Sequence, residues 1–223
     1  MTSFQKPKPL IFSVDGNIGS GKSTLVSNIQ SKFGTQICLL KEPVNEWEEI
    51  KERDGENIIQ KFYKDQTKYA FHFQIMAYIS RLSSLRKEIA NNKNKIIICE
   101  RSVLTDRHVF AKMLYDCKKM SNIEYQIYLK WFNEYIQDVP ISGIIYLKTR
   151  PEIAFERINK RARKGEEGVP IEYLCSCHEY HETWLESTSI PVHTINGDID
   201  IISSPNTLTN WIEKIDEFIK STI

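Results

Sequence analysis

The stretch Leu10-Ile11-Phe12-Ser13-Val14-Asp15-Gly16-Asn17-Ile18-Gly19-Ser20-Gly21-Lys22-Ser23-Thr24 decides the fold. It opens with an apolar, strand-like run, Leu10 to Val14, passes through a glycine-rich segment, Gly16 to Ser23, and enters Thr24 to Ser31, which has helical composition. A strand, a glycine-rich loop and a helix in that order make a phosphate cradle. Glycines let the backbone bend until several N–H groups point inward at phosphate oxygens, and the helix presents its positive end to the same place. Lys22 is then expected to reach the terminal phosphates, and Ser23 to hold magnesium through its hydroxyl. Gly16, Asn17, Ile18, Gly19, Ser20, Gly21, Lys22, Ser23 and Thr24 are the candidate nucleotide-binding residues.

Further apolar runs lie at Ile37 to Leu40, Ile96 to Cys99 and Ile144 to Leu147, with a weaker one at Val192 to Ile195. Longer segments of helical spacing separate them. Such alternation predicts a parallel sheet covered on both faces by helices, so the expected class is α/β. With the phosphate loop it becomes a three-layer sandwich of the P-loop NTPase type, built on five parallel strands. Phe62 to Ala90, with Phe62, Tyr69, Phe73, Met76 and Ile79 in register, predicts one long helix. No repeat, low-complexity tract or Pro/Gly-rich linker divides the chain, so residues 1–223 are expected to form a single domain. Ligands of open parallel sheets bind outside the carboxyl ends of the strands, where the motifs fall.

Lysine plus arginine (30) nearly cancels aspartate plus glutamate (29), which speaks against a polynucleotide partner and for a small substrate. The five cysteines, Cys38, Cys99, Cys117, Cys175 and Cys177, are scattered and odd in number, so reduced thiols are expected. Met1 to Pro9 has neither a secretory apolar core nor transit-peptide character, and no apolar run reaches membrane-spanning length. The expected compartment is the cytoplasm, with no membrane partner.

Glu42-Pro43-Val44 with Trp47 follows the second apolar run, and Glu100-Arg101-Ser102 follows the third. Both glutamates therefore leave strand ends on the phosphate side. Together with Phe73-Gln74, Arg161-Ala162-Arg163, Tyr173-Leu174, His178, His181-Glu182 and Trp184-Leu185, in this order, they carry a resemblance covering Ile11 to about Ile195. The chain resembles the deoxyribonucleoside kinase family, closest to its deoxycytidine and deoxyguanosine kinase branch. The resemblance implies 5′-phosphorylation of a deoxynucleoside by ATP with Mg2+. It makes Glu42 the base near the sugar 5′-hydroxyl and gives Arg101 the task of orienting that hydroxyl. Phosphoryl transfer needs an in-line hydroxyl, charge stabilisation and a proton acceptor, and a glutamate beside an arginine supplies the last two. Glu100 sits where other ATP-binding folds put a magnesium-directing acid and shares the metal with Ser23; it is also the alternative base, and sequence does not separate the two roles.

Arg157, Lys160, Arg161, Arg163 and Lys164, followed by Glu166, Glu167 and Gly168, form the densest charged cluster. By itself such a run is a solvated helix face. The resemblance makes residues 157–169 a lid whose Arg161 and Arg163 close over the donor phosphates, with Arg157 near the donor adenine and a donor-base loop near Asp198 to Ile201. It also implies that Gln74 pairs with the acceptor base, that Arg81 and Asp106 select it, and that Trp47, Phe73 and Phe110 wall it. Tyr63 and Glu166 would hold the sugar 3′-hydroxyl. An ionised Asp106 only accepts hydrogen bonds, so it favours an exocyclic amino group over thymine O4, while Arg81 can donate to guanine O6. The segments Phe110-Ala111-Lys112 and Ser121 to Tyr125 look closer to the deoxyguanosine branch, so a purine deoxynucleoside, guanine or adenine, is expected, with deoxycytidine possible and thymidine poor. A homodimer is implied by resemblance alone.

Two other readings compete. A nucleoside monophosphate kinase shares loop and lid but needs extra basic contacts for an acceptor phosphate. A nucleotide-dependent switch uses Asp-x-x-Gly and Asn-Lys-x-Asp segments, which the chain lacks. Cys175, Cys177, His178 and His181 lie close in sequence, yet on a helix Cys177 turns away from Cys175 and His178, so a tetrahedral zinc site would need distant ligands.

Overall fold

The computed structural model describes residues 8–91, 96–163, 165–166, 168–201 and 204–222. Its strands are β1 (Leu10–Asp15), β2 (Ile37–Leu40), β3 (Ile96–Glu100), β4 (Gly143–Lys148) and β5 (Val192–Asn196). They form one sheet in the order β2-β3-β1-β4-β5, every pairing parallel. All five apolar runs are thus strands, and the run carrying the phosphate loop lies at the centre.

Helices join the strands in chain order: α1 (Lys22–Phe33), α2 (Val44–Glu49), α3 (Ile58–Lys64), α4 (Gln66–Asn91), α5 (Val103–Thr105), α6 (Lys112–Asp116), α7 (Asn122–Tyr135), α8 (Pro151–Arg161), α9 (Ile171–Ser187) and α10 (Pro205–Ser221). Alternate side chains of a strand face opposite ways, and in the inner strands β1, β3 and β4 both directions are buried. Phe12, Val14, Ile98, Ile145 and Leu147 pack with Leu25, Val26 and Ile29 of α1 and Ile215 and Ile219 of α10. Ile11, Ile97, Cys99 and Ile144 pack on the other face against Leu82 and Leu85 of α4, Tyr128 and Phe132 of α7, and Trp184 of α9. Double burial is why these strands read as unbroken apolar runs.

The long helix does not begin at Phe62, contrary to the periodicity. Phe62 belongs to α3, which opens on an Asn57–Gln60 capping box and ends at Asp65. The Asp65 N–H donates back to the Lys61 carbonyl, while its carboxylate accepts the Lys68 N–H at 3.1 Å. Asp65 thus closes one helix and caps the next, leaving the apolar spacing continuous across a broken backbone. The break turns Phe62 onto Phe73, the rings stacked 4.8 Å apart.

Candidate active site

The loop after β1 is bent by glycines where no other residue fits. Gly16 has φ +150° and a Cβ there would meet the Leu147 carbonyl oxygen at 2.6 Å, and Gly19 has φ +77° against the Ala154 carbonyl. Asn17 turns away from the loop's mouth: its amide donates to the Leu174 carbonyl at 2.8 Å, tying the loop to α9. Ser20 is buried, and its carbonyl accepts from Thr149 Oγ1 at 3.4 Å and Arg157 at 3.2 Å. Lys22 Nζ donates to the carbonyls of Asn17 at 2.6 Å and Gly16 at 3.1 Å, so the ammonium lies across the loop. Ser23 Oγ donates to Glu100 Oε1 at 2.5 Å, joining the start of α1 to the end of β3.

Burial, assisted by the neighbouring Arg101 charge, brings the Lys22 ammonium down to about 7. Phosphate oxygens against Lys22 would favour its charged form again. ATP binding at pH 8 should therefore take up a proton, fewer as the pH falls toward 6. Calorimetric titration in buffers of different ionisation enthalpy checks this; no buffer dependence would mean that Lys22 is already charged.

Across from the loop, Glu42 lies in the turn between β2 and α2 and is gripped twice. Arg101 Nη1 donates to Glu42 Oε1 at 2.7 Å, and Arg81 Nη2 donates to the same oxygen. Burial by itself would raise the Glu42 carboxyl, but the guanidiniums of Arg101 and Arg81 override it and hold it well below the usual carboxylate range. Arg101 also donates to the Gly16 carbonyl at 3.2 Å and lies 4.9 Å above the Phe110 ring. Its backbone is left-handed, φ 67°, and its N–H donates to the Val14 carbonyl at 3.0 Å, so the sheet itself enforces a costly conformation there.

Arg81 is the hinge of this wall. While one nitrogen holds Glu42, Nη1 donates to Asp106 Oδ1 at 2.8 Å, and the guanidinium covers the Trp47 ring at 4.9 Å. Trp47 is fixed in turn by Ser80 Oγ at 2.9 Å and by an edge contact with Phe73. Asp106 opens a π-helical turn, Asp106–Ala111, whose widened winding carries both Asp106 and Phe110 to the cleft. Burial raises the Asp106 carboxyl to about 6 against the pull of Arg81. Gln74 Oε1, Asp106 Oδ2, Arg81 Nε and Arg101 Nε are buried without partners. Two free acceptors thus share one wall.

These groups surround one cleft. Ile18, Gly19, Lys22, Ser23, Glu42, Trp47, Tyr63, Phe73, Gln74, Arg81, Glu100, Arg101, Asp106, Phe110, Arg161, Arg163 and Glu166, all singled out in the sequence, line it. Glu166 pairs with Arg161 and, at 3.4 Å, with Arg163, so the basic pair hangs on a carboxylate at the cleft wall. Burial raises the Tyr63 phenol far above its ordinary range, with the Glu166 charge adding to it. Lys164 and Glu167 lie outside the described residues. Gly16, Asn17, Ser20, Gly21, Thr24 and Arg157 do not line the cleft. Arg157 is occupied by the carbonyls of Ser20, Gly197, Asp198 and Ile199, and so braces the segment expected to meet the donor base. Val44, Ile59, Phe62, Ala77 and Tyr173 line the cleft without having been assigned a role. Val44 and Tyr173 stand in motifs that could have pointed to them, Phe62 carries only a helical-register signal, and Ile59 and Ala77 carry none.

On α9, Cys177 and His181 point into the core, while Cys175 and His178 are only partly buried. Cys177 Sγ lies 3.8 Å from Met113 Sδ, and His181 Nδ1 meets the Cys177 carbonyl at 2.6 Å. Among the described residues no three His, Cys, Asp or Glu side chains converge as metal ligands.

The model of the deoxynucleoside kinase family matches residues 12–220. The chain belongs to that family. It is similar to a probable deoxycytidine kinase of fowlpox virus, 39% identical over 215 residues that cover 93% of this chain and 87% of the relative. Deoxycytidine kinase 2 of Gallus gallus is 36% identical over 86% of this chain and 79% of its own length. The mitochondrial deoxyguanosine kinase of Xenopus laevis is 32% identical over 81% and 74%. As a deoxynucleoside kinase the chain is a transferase that takes its phosphate from a nucleotide donor such as ATP. Among the described residues no helix is long and apolar enough to cross a membrane.

Proposed function

We propose that this kinase transfers the γ-phosphate of ATP to the 5′-hydroxyl of a deoxynucleoside, with the donor on the Gly16–Thr24 loop and the acceptor between Trp47, Phe73 and Phe110. The observation that carries the reading is the doubly bridged Glu42, facing the Ser23–Glu100 pair across one cleft. An ionised Glu42 orients the 5′-hydroxyl and receives its proton, and Arg101, tied to both Glu42 and Gly16, spans acceptor and donor. A carboxylate held so far down is a weak base, which suits a loose transition state in which the proton leaves late. Lys22, Arg161 and Arg163 meet the charge on the transferred group. Ser23 and Glu100 present oxygen donors of the kind magnesium takes. Magnesium bound there would draw charge from the phosphates and hold them in line.

For the base, the free acceptors Gln74 Oε1 and Asp106 Oδ2 match an exocyclic amino group, with the Gln74 amide donating to the ring nitrogen beside it. Adenine and cytosine both offer that edge, and guanine is reached through Arg81 donating to O6. Phe110-Ala111-Lys112 and Ser121 to Tyr125 favour a purine, while the free acceptors are met equally by deoxycytidine. Initial rates with the four deoxynucleosides decide: amino-bearing bases should lead, and thymidine in first place would overturn the base assignment. Because Asp106 loses its proton near 6, thymidine should gain on deoxycytidine as the pH is lowered from 8 to 5.5.

The functional unit we propose is a homodimer of single-domain subunits. Ile123, Ile127, Trp131 and Tyr135 recur every fourth residue along one face of α7 and stay exposed, Ile123 by 71%. Trp131→Glu should convert a dimer to a monomer in sedimentation velocity; a wild-type monomer would end the proposal. Cysteines dispersed through the fold suit a reducing compartment such as the cytoplasm.

A further inference from the structure

Asp15, the last residue of β1, is 0% exposed and immediately precedes the phosphate loop. Ser13 Oγ donates to its Oδ2 at 2.5 Å, and Thr105 Oγ1 donates to its Oδ1. Among the described residues no ammonium or guanidinium hydrogen-bonds it. A fully buried acid hydrogen-bonded by neutral hydroxyls, with the Lys22 and Arg81 charges acting on it but not bonded to it, is costly. It performs none of the steps described above.

The hydroxyl chain continues beyond Asp15. Thr105 Oγ1 lies 3.1 Å from Ser102 Oγ, which also accepts the Thr105 N–H at 3.3 Å, and both residues are buried. Ser102 follows Arg101 and Thr105 precedes Asp106, so the chain grips the one short turn that carries both residues into the cleft. At its other end Asp15 precedes Gly16, whose carbonyl accepts from Lys22 and Arg101. The donor loop and the acceptor wall leave neighbouring strands whose register ends at Val14 and Glu100; Arg101 is still tied to the Val14 and Gly16 carbonyls, but the turn that runs on from Ser102 to Asp106 has left the ladder.

We propose that Asp15 is a positioning residue that, through Thr105 and Ser102, sets the phosphate loop against the turn bearing Arg101 and Asp106. The inference rests on the proposed function, because it concerns the alignment of a donor with an acceptor. The hydrogen bonds to Thr105 and Ser13 hold the two walls at the separation that in-line transfer demands, and neither Asp15 nor Thr105 touches a substrate.

Asp15→Asn, Thr105→Val, their double variant and Thr105→Ser test it, with kcat and KM for each substrate, ATP affinity from a fluorescent-analogue titration, and active-site titration of each preparation. Either single variant should lose at least about tenfold in kcat per active site and raise KM for the nucleoside, with ATP affinity changed less than about twofold. The double variant should be no worse than the weaker single one, since both cut one link. Thr105→Ser, which keeps the hydroxyl, should restore most of the rate. Unchanged kcat per active site, or losses confined to the active fraction and melting temperature, would reduce Asp15 to a folding role and overturn the proposal. Multiplying losses in the double variant would overturn it as well. A wild-type enzyme that phosphorylates no deoxynucleoside sinks the functional reading first and this one with it.

Discussion

Glu42→Gln should lower kcat by at least about a hundredfold while ATP binding is retained. The amide keeps the side chain's shape but carries no charge and cannot take the hydroxyl proton. Its two guanidinium partners, Arg81 and Arg101, would face an NH2 group or a weaker carbonyl acceptor where a carboxylate now holds them. ATP affinity is expected to survive because the loop amides, Lys22 and Ser23 lie on the other side of the cleft. Single-turnover kinetics beside a fluorescent ATP-analogue titration separate the two quantities. A near-normal kcat would pass the proton to Glu100, which lies against Ser23 at the end of β3.

Arg81→Met carries the second large effect and reaches further, because one side chain serves both the chemistry and the choice of base. Removing it leaves Glu42 with Arg101 alone and strips Asp106 of its ion-pair partner. Breaking a buried pair costs about 3–5 kcal/mol when the remaining charge stays ionised. Asp106 has an escape: burial already holds it near 6, and without Arg81 it rises further and binds a proton at neutral pH. A carboxyl raised in the folded state stabilises below its unfolded value and loses that contribution as pH rises through the folded one. The variant should therefore melt lower than the wild type at pH 8 and recover part of the gap by pH 6. In the same variant kcat/KM for the amino-bearing nucleosides should fall at least about a hundredfold, with thymidine falling least, since protonated Asp106 can donate to O4. Melting curves at two pH values and competition between thymidine and deoxycytidine read both effects. An unchanged preference would show that Asp106 does not face the base.

Much of the site could be read from local order. The loop from Gly16 to Ser23 is contiguous, and its chemistry follows from backbone bending and one lysine, so spacing alone identified it. Glu42 and Glu100 stand just past the ends of apolar runs, which a parallel sheet brings to one edge, while the role of Glu42 comes from the resemblance. The break at Asp65 was not legible: apolar spacing persists through a helix boundary when both helices bury the same side, and the aspartate's capping role emerges only beside Lys68. The resemblance puts Arg157 near the donor adenine; that its guanidinium joins the Ser20 carbonyl of the phosphate loop to the carbonyls of Gly197, Asp198 and Ile199 is visible only in the folded chain.

The order of apolar runs, the glycine pattern and the strand-end acids determined by themselves that this chain folds into a doubly covered parallel sheet with a phosphate cradle at its centre. These features are local or periodic, and backbone sterics and hydrophobic alternation act at that range. Only the tertiary structure decided that Arg81 bridges Glu42 to Asp106, that the π-helical turn aims Phe110 and Asp106 together, and that a buried Asp15 is held by Thr105. The pairings of Arg81 and of Asp15 join residues far apart in the chain, and what makes them form is the exclusion of water around charges that then have few partners left to choose; the π-helical turn is local, but its extra residue per turn leaves no mark in apolar spacing.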